Sequence, residues 1–211
     1  MEAIMANLPP DMPLDSAMIL QSMQRISNVP EQFRTIPMRM EFSGHKSLMT
    51  PDLSSLSTGM SPFGGDMPLQ LAYIDHMEGT TITRMPSFDE TAYLISQKIK
   101  PLDWSLIDTD STILDYPVKK AEFSSDTLNV IAWYSPEIPS MVGPMQFGGL
   151  PGLPLLMKIN MESPEGLAMS YNFVALRLEE GLEKKITPPE GTLVTPEEYL
   201  KIMSEKLNAL R

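Results

Sequence analysis

From Arg34 onward the chain alternates. Ile36, Met38, Met40 and Phe42 fall on one side of an extended backbone, with Thr35, Pro37, Arg39 and Glu41 on the other. A period of two is what a strand with one buried face requires, because successive side chains point in opposite directions. Similar runs return along the chain. They predict further strands at 48–49, 69–76, 80–85, 92–99, 104–107, 113–123, 128–134, 153–161 and 167–178. Between them stand turn-forming groups such as Ser43-Gly44-His45-Lys46, Glu78-Gly79 and Ser124-Ser125-Asp126. Connections this short join antiparallel neighbours, since a parallel crossover takes about a dozen residues or more. The expected fold is mainly β (α+β): a curved antiparallel sheet or half-barrel with a C-terminal helix packed on it and a short N-terminal helix.

The helices have their own signals. Asp15 is placed to cap a helix through Ile26, with Met18, Ile19, Met23 and Ile26 at helical spacing, and Pro30 ends it. At the other end Thr195, Pro196 and Glu198 spell a capping box with proline in the first turn. Tyr199, Leu200, Met203, Leu207 and Leu210 then form one apolar stripe. The chain reads as an irregular segment over 1–30, a β domain over 31–194 and a helix over 195–211 belonging to that domain. The stretch from Thr50 to Pro68, rich in Ser, Gly and Pro, reads as a loop.

Composition removes several functions. Lys plus Arg number 16 against 27 Asp plus Glu, a net charge of −11. Nucleic acid and anionic membrane both need a concentrated positive patch, so neither is an expected partner. No apolar run approaches the ~18 residues of a membrane-spanning helix. With no cysteine in the chain, thiol chemistry and cysteine-ligated metals are excluded. Met1 to Met5 carry neither a basic nor an apolar leader region, so no signal peptide is part of this chain. No cofactor is implied.

The least ordinary piece is 143-GPMQFGGLPGLPLL-156. A phosphate-binding loop fails on spacing, because neither GxGxxG nor Gly-Lys-Ser/Thr is present and Leu153-Pro154-Leu155 does not open a helix. Turn chemistry is the better reading: Pro151-Gly152 fits the centre of a type II turn, and Gly148-Gly149 lets the backbone bend or approach closely.

These residues also resemble a known family. Ala132-Trp133-Tyr134-Ser135-Pro136-Glu137-Ile138-Pro139, then Gly143-Pro144 and Phe147-Gly148-Gly149-Leu150-Pro151-Gly152-Leu153, look like the signature of the GLPGLI family of exported bacterial envelope proteins. Upstream, Leu102-Asp103-Trp104, Ile113-Leu114-Asp115-Tyr116 and Lys120-Ala121 fit its DW…I-x-GY-x-C-x-KA pattern, and Met40-Glu41-Phe42 with Ser47-Leu48 fits an early hairpin. The likeness covers roughly residues 30 to 200. Pro154 departs from the Ile of the family name, and Val118 stands where cysteine is common. The resemblance implies export to the periplasm or the outer membrane and an opening strand lying before Met1. It brings no catalytic residues.

Three kinds of site have some chemical basis. Asp108-Thr109-Asp110-Ser111-Thr112 imitates the DxDxT motif of aspartyl-phosphate phosphohydrolases, but that chemistry sits on a parallel α/β sheet, so a polar hairpin turn is preferred. Among the 18 methionines, Met38 and Met40 project about 7 Å apart from one strand face and Met157 and Met161 share another. Thioethers suit Cu(I), and His76 with Met77 and Asp75 could add donors, so a methionine-rich metal-handling protein is the alternative function. The plainer reading is core filling. Trp133 and Tyr134 lie on opposite strand faces. With Phe147 and the turn residues Gly149, Leu150, Pro151 and Gly152 they are the candidate binding residues for a protein partner or apolar ligand, although packing explains them as well. No GxSxG elbow accompanies His45 or His76, so no enzyme is expected.

Overall fold

The computed structural model describes residues 36–52, 71–85, 87, 90–162, 168–181 and 185–209. The irregular segment at 1–30, its helix from Asp15 to Ile26 and most of the Thr50–Pro68 loop lie outside these residues. Eleven strands follow in order: β1 (Met38–Ser43), β2 (Lys46–Pro51), β3 (Leu71–Asp75), β4 (Thr80–Met85), β5 (Tyr93–Lys98), β6 (Ser105–Ile113), β7 (Tyr116–Ser124), β8 (Leu128–Ser135), β9 (Leu153–Glu162), β10 (Ala168–Val174) and β11 (Thr192–Leu193). One helix, α1 (Pro196–Ala209), closes the described chain.

The fold is mainly β with a C-terminal helix, as the alternation predicts. The strands form two sheets rather than one continuous curve. The first runs β1-β2-β3-β4-β5-β11 and the second β10-β9-β8-β7-β6. Every pairing is antiparallel except β11, which joins β5 in parallel. The break falls between β5 and β6, where Leu102 and Trp104 turn inward onto the core of the second sheet instead of continuing the ladder. The sheets meet at β1: Met40 packs against buried Val118, Val142, Leu153 and Leu155.

Helix α1 lies on β4 and β5, with Tyr199 buried against Met85, Tyr93 and Ile95. The Tyr93 and Tyr199 rings meet edge to face at 6.2 Å. Burial pushes the Tyr199 phenol up to about 12. The capping box forms as expected: the Glu198 N–H donates to Thr195 Oγ1 at 3.1 Å and the Thr195 N–H donates to Glu198 Oε2 at 2.8 Å.

One hairpin differs from its sequence reading. Asp108–Thr112 is not a turn; it is part of β6, with a bulge between Ile107 and Asp110. β6 is an edge strand exposed along most of its length, so over Asp108–Thr112 it can be polar on both faces and mimic a loop. The turn lies at Leu114-Asp115, where Ile113 pairs with Tyr116 and both central residues have positive φ, 52° and 64°. A two-residue loop of that shape is a type I′ turn and favours Asn-Gly. Leucine in the left-handed region is strained by about 1–2 kcal/mol. The double substitution Leu114→Asn, Asp115→Gly should therefore raise stability by about 1–2 kcal/mol and the Tm by ~4 °C. An unchanged or lower urea midpoint would contradict the strain.

Candidate functional site

Between β8 and β9 the chain leaves the second sheet, crosses over it and returns. Its apolar side chains go to both faces. Val142 is fully buried with Val118, Leu153 and Leu155 on the side toward β1. Phe147 and Leu150 are buried on the other side, with Ala121, Val130, Ala132, Tyr134, Met157 and Ile159. The loop thus stoppers two cores at once.

Glycine makes that path feasible, though not through the turn expected at Pro151-Gly152. Positive φ falls on Gly149, at 86°, whose N–H donates to the Met141 carbonyl at 2.8 Å. Gly152 takes a φ open to other residues and is needed for space: a Cβ there would stand 2.1 Å from the Ser135 carbonyl oxygen. Gly143 is held in the same way, since a Cβ on it would meet the Phe147 carbonyl oxygen at 2.0 Å. After Gly152 the chain enters β9, so the glycines lead into a strand and not a helix, in line with their spacing. Pro154 is tolerated inside this central strand because a bulge falls there, with Trp133 opposite Leu156 and Tyr134 opposite Pro154.

Gly148 is where the first sheet touches the loop. A Cβ on it would lie 2.4 Å from both Cε1 and Nδ1 of His76, so the imidazole rests on bare backbone. From the other side the Trp104 indole N–H donates to the Gly148 carbonyl at 3.0 Å. His76 Nε2 is buried with no hydrogen-bond partner among the described residues. Beside it, Asp75 Oδ1 accepts from the N–H groups of Met77 and Glu78 at 3.1 and 3.0 Å. His45 Nε2 and Lys46 Nζ each stand 3.6 Å from the Asp75 carboxylate. Burial works to raise the Asp75 pKa, but the Glu78 N–H, the His45 and Lys46 charges and the Met77 N–H together hold it below the ordinary aspartate value. Burial pushes His76 below its ordinary value, against the pull of Asp75 and with help from His45.

The candidate binding residues separate on this geometry. Tyr134, Phe147 and Leu150 are buried and Gly152 is enclosed, whereas Gly149 and Pro151 are exposed. Trp133 stands on the opposite face from Tyr134, half-buried. It pairs with Leu156, which pairs with Val174, so three apolar side chains form a row across β8, β9 and β10. Val174 is 53% exposed and Leu176 79%. Sequence reading missed this row. The alternating Val174 and Leu176 were visible, but their alignment with Trp133 depends on the β9–β10 register.

The four metal candidates are not brought together. Met40 is spent on the core between the sheets, and Met77 projects into solvent, 68% exposed. Met38 pairs with Pro51 at the far end of β2 from Lys46, which faces Asp75; that is about 17 Å of strand. Among the described residues no three His, Asp or Glu side chains converge on a metal position. Met157 is buried in the second sheet's core, and Met161 packs against the same cluster and accepts from the Tyr171 hydroxyl at 3.5 Å. Asp108 and Asp110 sit on the exposed β6 edge, the Asp108 side chain 98% exposed and 3.9 Å from Lys119 Nζ.

The glycine loop and the strands that carry it are also where a family likeness falls. Residues 92–156 match the model of a family described as a protein of unknown function, Porph_ging. The Porph_ging match runs from the start of β5 through the loop into β9, just under a third of the chain. No curated protein matches the chain. Two solved structures of PNGF-II, in its P21 and C2 space groups, resemble it in fold at 15% identity, with TM-scores of 0.54 and 0.51. The likeness covers 82% and 79% of this chain but only 30% and 29% of the PNGF-II chain. The chain thus corresponds to about a third of those proteins. Among the described residues no helix is long and apolar enough to cross a membrane.

Proposed function

We propose that this chain is a non-enzymatic domain of the GLPGLI type, exported to the bacterial envelope, where the second sheet binds a protein partner. The observation that carries the reading is the row of Trp133, Leu156 and Val174, which starts where Trp133 packs on the core between the sheets and opens to solvent at Val174 and the following Leu176. Exposed apolar side chains grouped on a rigid sheet are typical of interaction surfaces, and half-buried tryptophan is a common anchor. The motif residues themselves serve the fold, because they fill two cores and thread the backbone between them. A protein partner is favoured over an apolar ligand held between helix and sheet, since Tyr199 and Tyr93 already fill that space. The exposed placement of Asp108 and Asp110 supports a non-catalytic role for them.

A photo-crosslinking residue at Val174, in cells that export the protein, should trap one discrete partner band. Leu176→Asp should abolish that band with no change in Tm, and a crosslinker at Asp126, on the far β7–β8 turn, should trap none. Equal labelling at both positions, or none at Val174, would sink the proposal.

A further inference from the structure

We infer that His76 is a proton-operated latch on the glycine loop: the neutral ring seats against Gly148 and holds the loop shut, and protonation releases residues 141–150 from the first sheet. This does not depend on what the second sheet binds.

The absence of a side chain at Gly148 is what lets the ring sit there. The ring edge occupies the place of a side chain at Gly148, and Gly148 is pinned from behind by Trp104. A neutral imidazole has one N–H, so Nε2 can lie against apolar surroundings as a bare acceptor at modest cost. An imidazolium carries N–H on both nitrogens, and Nε2 is buried where no acceptor among the described residues faces it. The groups around the ring do not relieve this. On its own strand Asp75 attracts a proton, but its Oδ1 already accepts from two main-chain N–H groups. On the β1–β2 hairpin, Lys46, and His45 when it is protonated, bring positive charge to the same carboxylate. The loop offers main chain at Met141 and Gly148, and Trp104 offers a donor already bound to Gly148.

The sign follows by linkage. Burial depresses the ring's folded-state value below 6.5. The open state, with the ring in water, therefore binds a proton first. Closure is fully favoured above about 6.5 and weakens as pH falls from there toward the folded-state value. Protons that enter the open state pull the loop outward.

Amide exchange on the full chain, corrected for intrinsic rates, tests the latch between pH 7.5 and 5.5. The Gly149 amide, bonded to Met141, and the Phe147 amide, bonded to the Pro144 carbonyl at 3.1 Å, should lose protection, by at most about tenfold for one titrating ring. Val130 in the middle of β8 should hold its protection. His76→Phe and His76→Gln, which differ in shape but do not titrate, should each abolish the pH dependence at Gly149, whatever their protection at neutral pH. Unchanged wild-type protection at Gly149 across that range would overturn the latch, as would acceleration that persists in whichever variant folds, or equal acceleration at Val130.

Discussion

Gly152→Ala should cost about 3 kcal/mol or more, enough to send much of the expressed protein into aggregates. The added methyl would stand 2.1 Å from the Ser135 carbonyl oxygen, 2.7 Å from its carbon and 3.0 Å from Pro136 Cα. All three are backbone, and Ser135 pairs with Leu153 where β8 and β9 meet in the interior of the sheet. Neither partner can retreat without breaking the ladder, so overpacking reaches its severe end. Gly181→Ala is the matched control, because no atom of the described residues lies within 4 Å of its added carbon. It should stay within about 0.5 kcal/mol of the parent by urea unfolding. If Gly152→Ala unfolds at the parent's urea midpoint, the close approach is not a constraint and the motif's glycine has some other role.

Phe147→Ala should destabilise by about 3–5 kcal/mol, because it empties a side chain only 1% exposed at the centre of the second core. Tyr134, Leu150, Met157 and Ile159 surround it and belong to three different segments, so no single segment can shift to fill the cavity. Phe42→Ala, at a phenylalanine 37% exposed, should cost far less. The comparison also separates two roles for the motif. Were Phe147 the floor of a ligand site, its loss would abolish binding and leave the Tm nearly unchanged. A loss of stability with no ligand present assigns it to packing.

Part of this is legible in the sequence because its causes are local. Thr195 and Glu198 meet their own neighbours, so the capping box forms where the residues predict it. The β1 alternation holds for the same reason: Met38, Met40 and Phe42 share a face wherever that strand docks. β4 falls to the residue where its sequence places it, between turn-forming Glu78-Gly79 and Pro86. β6 misleads because an edge strand wet on both faces has no apolar period to show. The glycine stretch is recognisable as backbone chemistry, but the sequence points to the wrong member. Positive φ at Gly149 and crowding at Gly152 both come from where β8 lies, and a dipeptide such as Pro-Gly carries no record of that.

By itself the sequence determined a cysteine-free, acidic, strand-dominated chain with a capped C-terminal helix, since charge, periodicity and capping depend on residue type and near neighbours. Only the tertiary structure decided that the strands divide into two sheets and that one loop stoppers both faces of the second. It alone set His76 against Gly148 and aligned Trp133 with Val174. Those relations join residues tens of positions apart, and their energies come from packing and desolvation, which exist only once the sheets have met.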